Sequence, residues 1–110
     1  IWNTRSNAFG WRSALGRMPV MDNAPPEAVP ARAASLRALP STWIGVGTLD
    51  LFAQESIRFA GRLMAGGVPV EMSLVPGAYH GFDAMVPQAR VSAGFIASWK
   101  SALHRALDVA

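Results

Sequence analysis

The chain has 110 residues, 51% of them hydrophobic, and its 10 basic side chains outnumber 7 acidic ones for a formal charge of +3. The absence of cysteine excludes disulfides, thiolate zinc sites and a cysteine nucleophile, and two histidines argue against a metal cage. The basic residues are scattered rather than gathered into the stripe that phosphate neutralisation requires, which argues against a nucleic-acid partner.

In chain order, Trp2 to Leu15 places Trp2, Phe9, Trp11 and Leu15 among polar residues in a helical pattern that Gly16 ends. Pro19, Pro25, Pro26, Pro30 and Pro40 then exclude a long helix or an inner strand, so residues 19–40 read as a connection with one helical turn near Ala31 to Leu36. Thr42 to Val46 is a short apolar run of the kind that forms a strand covered on both faces. Phe52 to Ala65 has Ile57, Ala60, Leu63 and Met64 at helical spacing, carries Arg58 and Arg62 on another face, and stops at Gly66-Gly67. Val70 to Val75 alternates Val70, Met72 and Leu74 against Glu71 and Ser73, a strand with one better buried face. A last helix from about Gln88 to Leu107 carries Val91, Phe95, Trp99, Ala102, Leu103 and Leu107 on one side.

A strand, helix and strand of these lengths make a right-handed crossover between parallel strands. The fold class is therefore α/β, two parallel strands with flanking helices. Two strands are too few for a complete sheet, and the apolar content is high for so small a chain. With Ile1 rather than Met at its start, the chain reads as a piece of a larger α/β domain. No apolar run reaches the roughly 18 residues of a membrane span, and no signal-peptide order opens the chain, which points to a cytoplasmic location.

Function in open parallel sheets collects at the C-terminal ends of strands. Asp50 follows the first strand by four residues and His80 follows the second by five. Adjacent strands lie ~4.8 Å apart, so the two side chains can meet as an acid that orients a general base. Asp50 also precedes an apolar helix and could serve only as its cap, and His80 could be a surface loop histidine. The two readings differ in geometry. A catalytic pair places an Asp50 oxygen ~2.6–3.2 Å from His80 Nδ1, whereas a cap alone turns the carboxylate to the amides of Phe52 or Ala53 and leaves His80 distant. His104, beside Arg105 late in the last helix, reads as solvated, and the four tryptophans as core or interface residues.

The segment Val46-Gly47-Thr48-Leu49-Asp50-Leu51-Phe52-Ala53-Gln54-Glu55 resembles the acid motif Gly-x-x-Asp-x-Leu-x-Asp-Glu of the hormone-sensitive-lipase-like α/β hydrolases. Pro76-Gly77-Ala78-Tyr79-His80-Gly81-Phe82 resembles the same family's His-Gly-Phe motif, and Leu63 to Pro69 its Leu-x-x-x-Gly-Val-Pro. Phe52 stands where that motif has Leu, and Gln54 where it has Asp. The resemblance implies that residues 1–110 are the C-terminal portion of one α/β-hydrolase domain: a helix and Pro-rich connection over 1–40, then the last two strands and helices over 41–110. It implies Asp50 as triad acid and His80 as triad base of a carboxylesterase or lipase-like serine hydrolase acting on a small-molecule ester, with no cofactor and with a homodimer contact through the last strand and final helix. No Gly-x-Ser-x-Gly elbow or His-Gly-Gly-Gly stretch occurs in these residues, so the resemblance places the nucleophile upstream and implies that the chain alone is inactive. A serine peptidase or dienelactone-hydrolase-like enzyme of the same fold, and a non-catalytic association module, are the alternative readings.

Overall fold

The computed structural model describes residues 3–16, 25 and 28–107. Trp2, Pro19 and Pro26 of the sequence reading lie outside them. The elements run α1 (Thr4–Leu15), a 3-10 turn (Pro30–Arg32), β1 (Thr42–Gly47), α2 (Ala53–Ala65), β2 (Val70–Val75), α3 (Phe82–Met85) and α4 (Arg90–Leu107). Both strands and all the long helices fall where hydropathic periodicity puts them. The turn expected over 31–36 is shorter and begins at Pro30, because the fixed φ of proline suits a first helical position. The short helix α3 has no counterpart in the sequence reading, since four residues are too few to show a helical period.

β1 and β2 pair in parallel with Thr42 opposite Val70 and Gly47 opposite Val75, so both strands end at the same height. Successive side chains of a strand face opposite ways. Ile44 joins Phe59, Leu63, Val68, Val70 and Leu36 on the α2 side. Trp43 instead meets Phe95 of α4, with ring centroids 5.4 Å apart, and Phe95 packs against Val75, Ala78 and Phe82. The result is α2, sheet and α4 in three layers, with β1 covered on both faces as its apolar run requires.

The end of α2 shows how local sequence sets this packing. Gly67 adopts φ +81°, and its N–H bonds to Met64 O while the Val68 N–H reaches back to Leu63 O, both at 3.0 Å. This left-handed closure satisfies the last carbonyls and brings Val68 onto Leu63, a fully buried side chain of the core. Arg62, on the solvent side of α2, donates through both guanidinium ends to the carbonyls of Ala31 and Ala33 and so pins the Pro-rich connection to the helix.

Several side chains assigned to buried faces are exposed: Ile57 and Met64 of α2, Leu74 of β2, and Val91, Leu103 and Leu107 of α4. The apolar stripe of α4 is longer than two strands can cover, and the side chain it buries most deeply is Ser92, whose hydroxyl faces Phe82 O at 3.4 Å. At the opposite end of α1, Asn3 Oδ1 accepts the Ser6 N–H at 3.0 Å, and Gly16 closes the helix at φ +68°.

Two glycines of this region are expected to respond to alanine with opposite signs. Gly67→Ala forces a side chain into the left-handed region and costs about 1 kcal/mol. Gly61, inside α2 with open space around its α-carbon, should gain roughly 0.5–1 kcal/mol as Ala. Urea unfolding midpoints of the two variants check this directly.

Candidate active site

The level ends of β1 and β2 are only the first step in bringing Asp50 to His80. Beyond them the two loops stay joined by three hydrogen bonds: Thr48 N to Val75 O at 3.0 Å, Leu49 N to Ala78 O at 3.0 Å, and Gly77 N to Thr48 Oγ1 at 2.9 Å. The approach is close enough that a β-carbon on Gly47 would collide with the backbone carbonyl of Ala78. Only glycine admits that approach. Thr48 therefore clasps the loop that carries the histidine, a role that no motif or periodicity reveals.

Asp50 is held at the head of α2. Its N–H bonds to Gly47 O and its carbonyl accepts the Ala53 N–H, each at 3.1 Å. One carboxylate oxygen, Oδ1, accepts the Phe52 N–H at 3.0 Å, and the other, Oδ2, lies 2.9 Å from His80 Nδ1. The carboxylate thus closes the turn that leads into α2 with one oxygen and meets the imidazole with the other; Phe52, not Asp50, is the N-cap residue of α2. The 2.9 Å contact falls within the range expected of an acid orienting a base.

A carboxylate only accepts hydrogen bonds, so Nδ1 carries the hydrogen of this contact and Nε2 is the ring nitrogen able to take a proton. Burial divides the pair, since the Asp50 side chain is 9% exposed and that of His80 43%. The acid is shielded from water while the base remains accessible from outside. Both line a cleft of about 230 Å³ with Tyr79, Phe82, Asp83 and Phe95.

A larger groove of about 680 Å³ lies at the other ends of the strands, between Thr42, Trp43, Val70, Trp99 and Leu103. Its charged groups are Glu71 and Arg105, which pair with each other. Size alone would favour that groove, but the acid–base geometry is at the smaller cleft. His104 is exposed on α4 and lines neither. Among the described residues, no three His, Asp or Glu side chains are placed to hold a metal ion.

A sequence model of the alpha/beta hydrolase fold matches residues 1–84. The chain belongs to the α/β-hydrolase fold family. Esterase LipI of Mycobacterium tuberculosis is 38% identical over 73 residues, covering 63% of this chain and 22% of its own length. Among solved structures, esterase LipW from Mycobacterium marinum superposes with a TM-score of 0.86 at 33% identity, over 96% of this chain and 32% of LipW. A bacterial heroin esterase does so with a TM-score of 0.89 at 31% identity, over 97% of this chain and 34% of that protein. The chain spans about a third or less of the length of these relatives. The hormone-sensitive-lipase-like character read from the Asp50 and His80 motifs agrees with these matches.

The two contacts of the Asp50 carboxylate in this α/β-hydrolase chain are separable by substitution. Asparagine can accept the Phe52 amide in the same turn, whereas alanine cannot. Asp50→Asn should therefore unfold near the wild-type urea midpoint and Asp50→Ala earlier. Nitrogen-15 spectra of His80 should show the Nδ1–H form displaced in both variants, because neither retains the carboxylate.

Proposed function

We propose that this chain supplies the acid and base of a serine hydrolase that cleaves small-molecule carboxylic esters. The observation that carries the proposal is the 2.9 Å contact of Asp50 Oδ2 with His80 Nδ1 at the C-terminal ends of two parallel strands. The family match and the esterase relatives support the choice of ester over other acyl compounds. The nucleophile in this reading is a serine on a turn outside these 110 residues, in keeping with the chain order Ser, Asp, His of the fold.

His80 Nε2 takes the serine proton as the oxygen attacks the ester carbonyl, then passes it to the departing alcohol. An acyl-serine remains. In the second half, Nε2 takes a proton from water, which attacks the acyl carbon, and returns it to the serine oxygen as the acid is released. Asp50 stays ionised throughout, holding the ring in the Nδ1–H form and stabilising the imidazolium that forms in each half. The same steps need no cofactor.

The 110-residue chain by itself should leave p-nitrophenyl acetate at the buffer rate, since loss of the nucleophile in such enzymes costs about 10⁶ in turnover. In the polypeptide that joins this chain to the serine-bearing segment, His80→Ala should lower kcat by a similar factor and Asp50→Asn by about 10⁴. Turnover by the isolated chain that disappears with His80→Ala would show that the nucleophile lies within it. Full turnover of the joined polypeptide after His80→Ala would refute the assignment of the base.

A further inference from the structure

We propose that Phe52 is a positioning residue for the acid–base pair, bracing the imidazole of His80 with its ring while its main chain holds Asp50. The proposal rests on the catalytic reading of the pair. Its basis is that one residue touches both members by different means. The Phe52 N–H donates to Asp50 Oδ1 at 3.0 Å, and the Phe52 ring meets the His80 ring in an edge-on arrangement, with centroids 5.7 Å apart and planes inclined at 65°.

A hydrogen bond from Nδ1 to Oδ2 holds the imidazole at one atom. A ring contact from a different direction limits swing and tilt about that atom. Neighbouring aromatics on the histidine loop are committed elsewhere: Phe82 is buried against Val75 and Ala78, and Tyr79 packs on the same cluster. Phe52, at the head of α2, is firmly seated, with its carbonyl accepting the Ser56 N–H at 2.9 Å. Inclined rings at this separation attract through the opposite polarity of ring edge and ring face. The brace therefore sits at the start of a helix, against a base whose side chain is 43% exposed.

Orientation of a general base affects turnover more than binding, because the proton is transferred only in the reacting geometry. Phe52→Leu keeps the backbone N–H to Asp50 and an apolar side chain, and removes only the ring. Phe52→Tyr keeps the ring. In the polypeptide that includes the nucleophile, Phe52→Leu should reduce kcat for p-nitrophenyl acetate roughly three- to ten-fold with KM changed less than two-fold. Phe52→Tyr should recover most of that turnover. The His80 Nδ1–H proton resonance should be sharp in wild type and Phe52→Tyr and broadened in Phe52→Leu, an effect that mere loss of packing far from the ring would not produce. Unchanged kcat and an unchanged His80 resonance in Phe52→Leu would overturn the proposal, as would a rise in KM at constant kcat, which would make Phe52 a substrate-contacting wall. Retained turnover in a parallel His80→Ala sample would instead sink the catalytic reading itself, and the proposal with it.

Discussion

The register of β1 on β2 is the constraint on which the site depends. Asp50 and His80 are 30 positions apart, and each reaches the rim from its own strand. A slip of one residue would shift one loop by about 3.3 Å along the other and reverse the faces of every side chain on the slipped strand. The 2.9 Å contact would not survive it. Register is protected by burial, because Ile44 must face Leu63 while Trp43 faces Phe95, and by the clasp that continues the ladder past Gly47 and Val75. Core packing on two faces and acid–base geometry at one rim are thus secured by the same alignment.

Within that alignment, Asp50 answers two demands with one side chain. Helix capping and orientation of a base can be treated as rival explanations of an aspartate in this place. Here one bond aims the carboxylate, since Oδ1 is held by the Phe52 amide in the turn just before α2 and Oδ2 is left facing the imidazole. The turn before α2 is consequently coupled to the geometry of the pair. Phe52 belongs to the same unit, because its amide supplies the hydrogen bond to Oδ1.

Much of this arrangement was legible in the order of residues. The continuous run of β1, the alternation of β2 and the 3.6-residue spacing of α2 and α4 follow from burial on two faces, on one face or along a stripe, and each leaves its period in the chain. Asp50 and His80 were legible because strand ends in parallel sheets are where loops converge. What periodicity could not show is how far each apolar stripe is covered. Leu74, Val91, Leu103 and Leu107 have the spacing of buried residues and are exposed, since spacing reports a face and not the width of what packs on it. Thr48, Arg62 and the ring of Phe52 were equally hidden, because their partners lie about 30 residues away and are largely backbone atoms or a single neighbouring ring.

Arg62 and Arg105, two arginines among the described residues, differ in what they hold. Arg62 grips the carbonyls of Ala31 and Ala33, which are neutral dipoles, whereas Arg105 on α4 pairs with the charged Glu71 of β2 where both side chains are more than half exposed. Mobile ions screen a pair of exposed opposite charges, and at 1 M salt the screening length falls to about 3 Å. A hydrogen bond between a cation and a neutral carbonyl dipole is less affected. Ionic strength therefore acts unevenly on these two anchors: salt weakens the Arg105–Glu71 pair between α4 and β2 more than the hold of Arg62 on the Pro-rich connection.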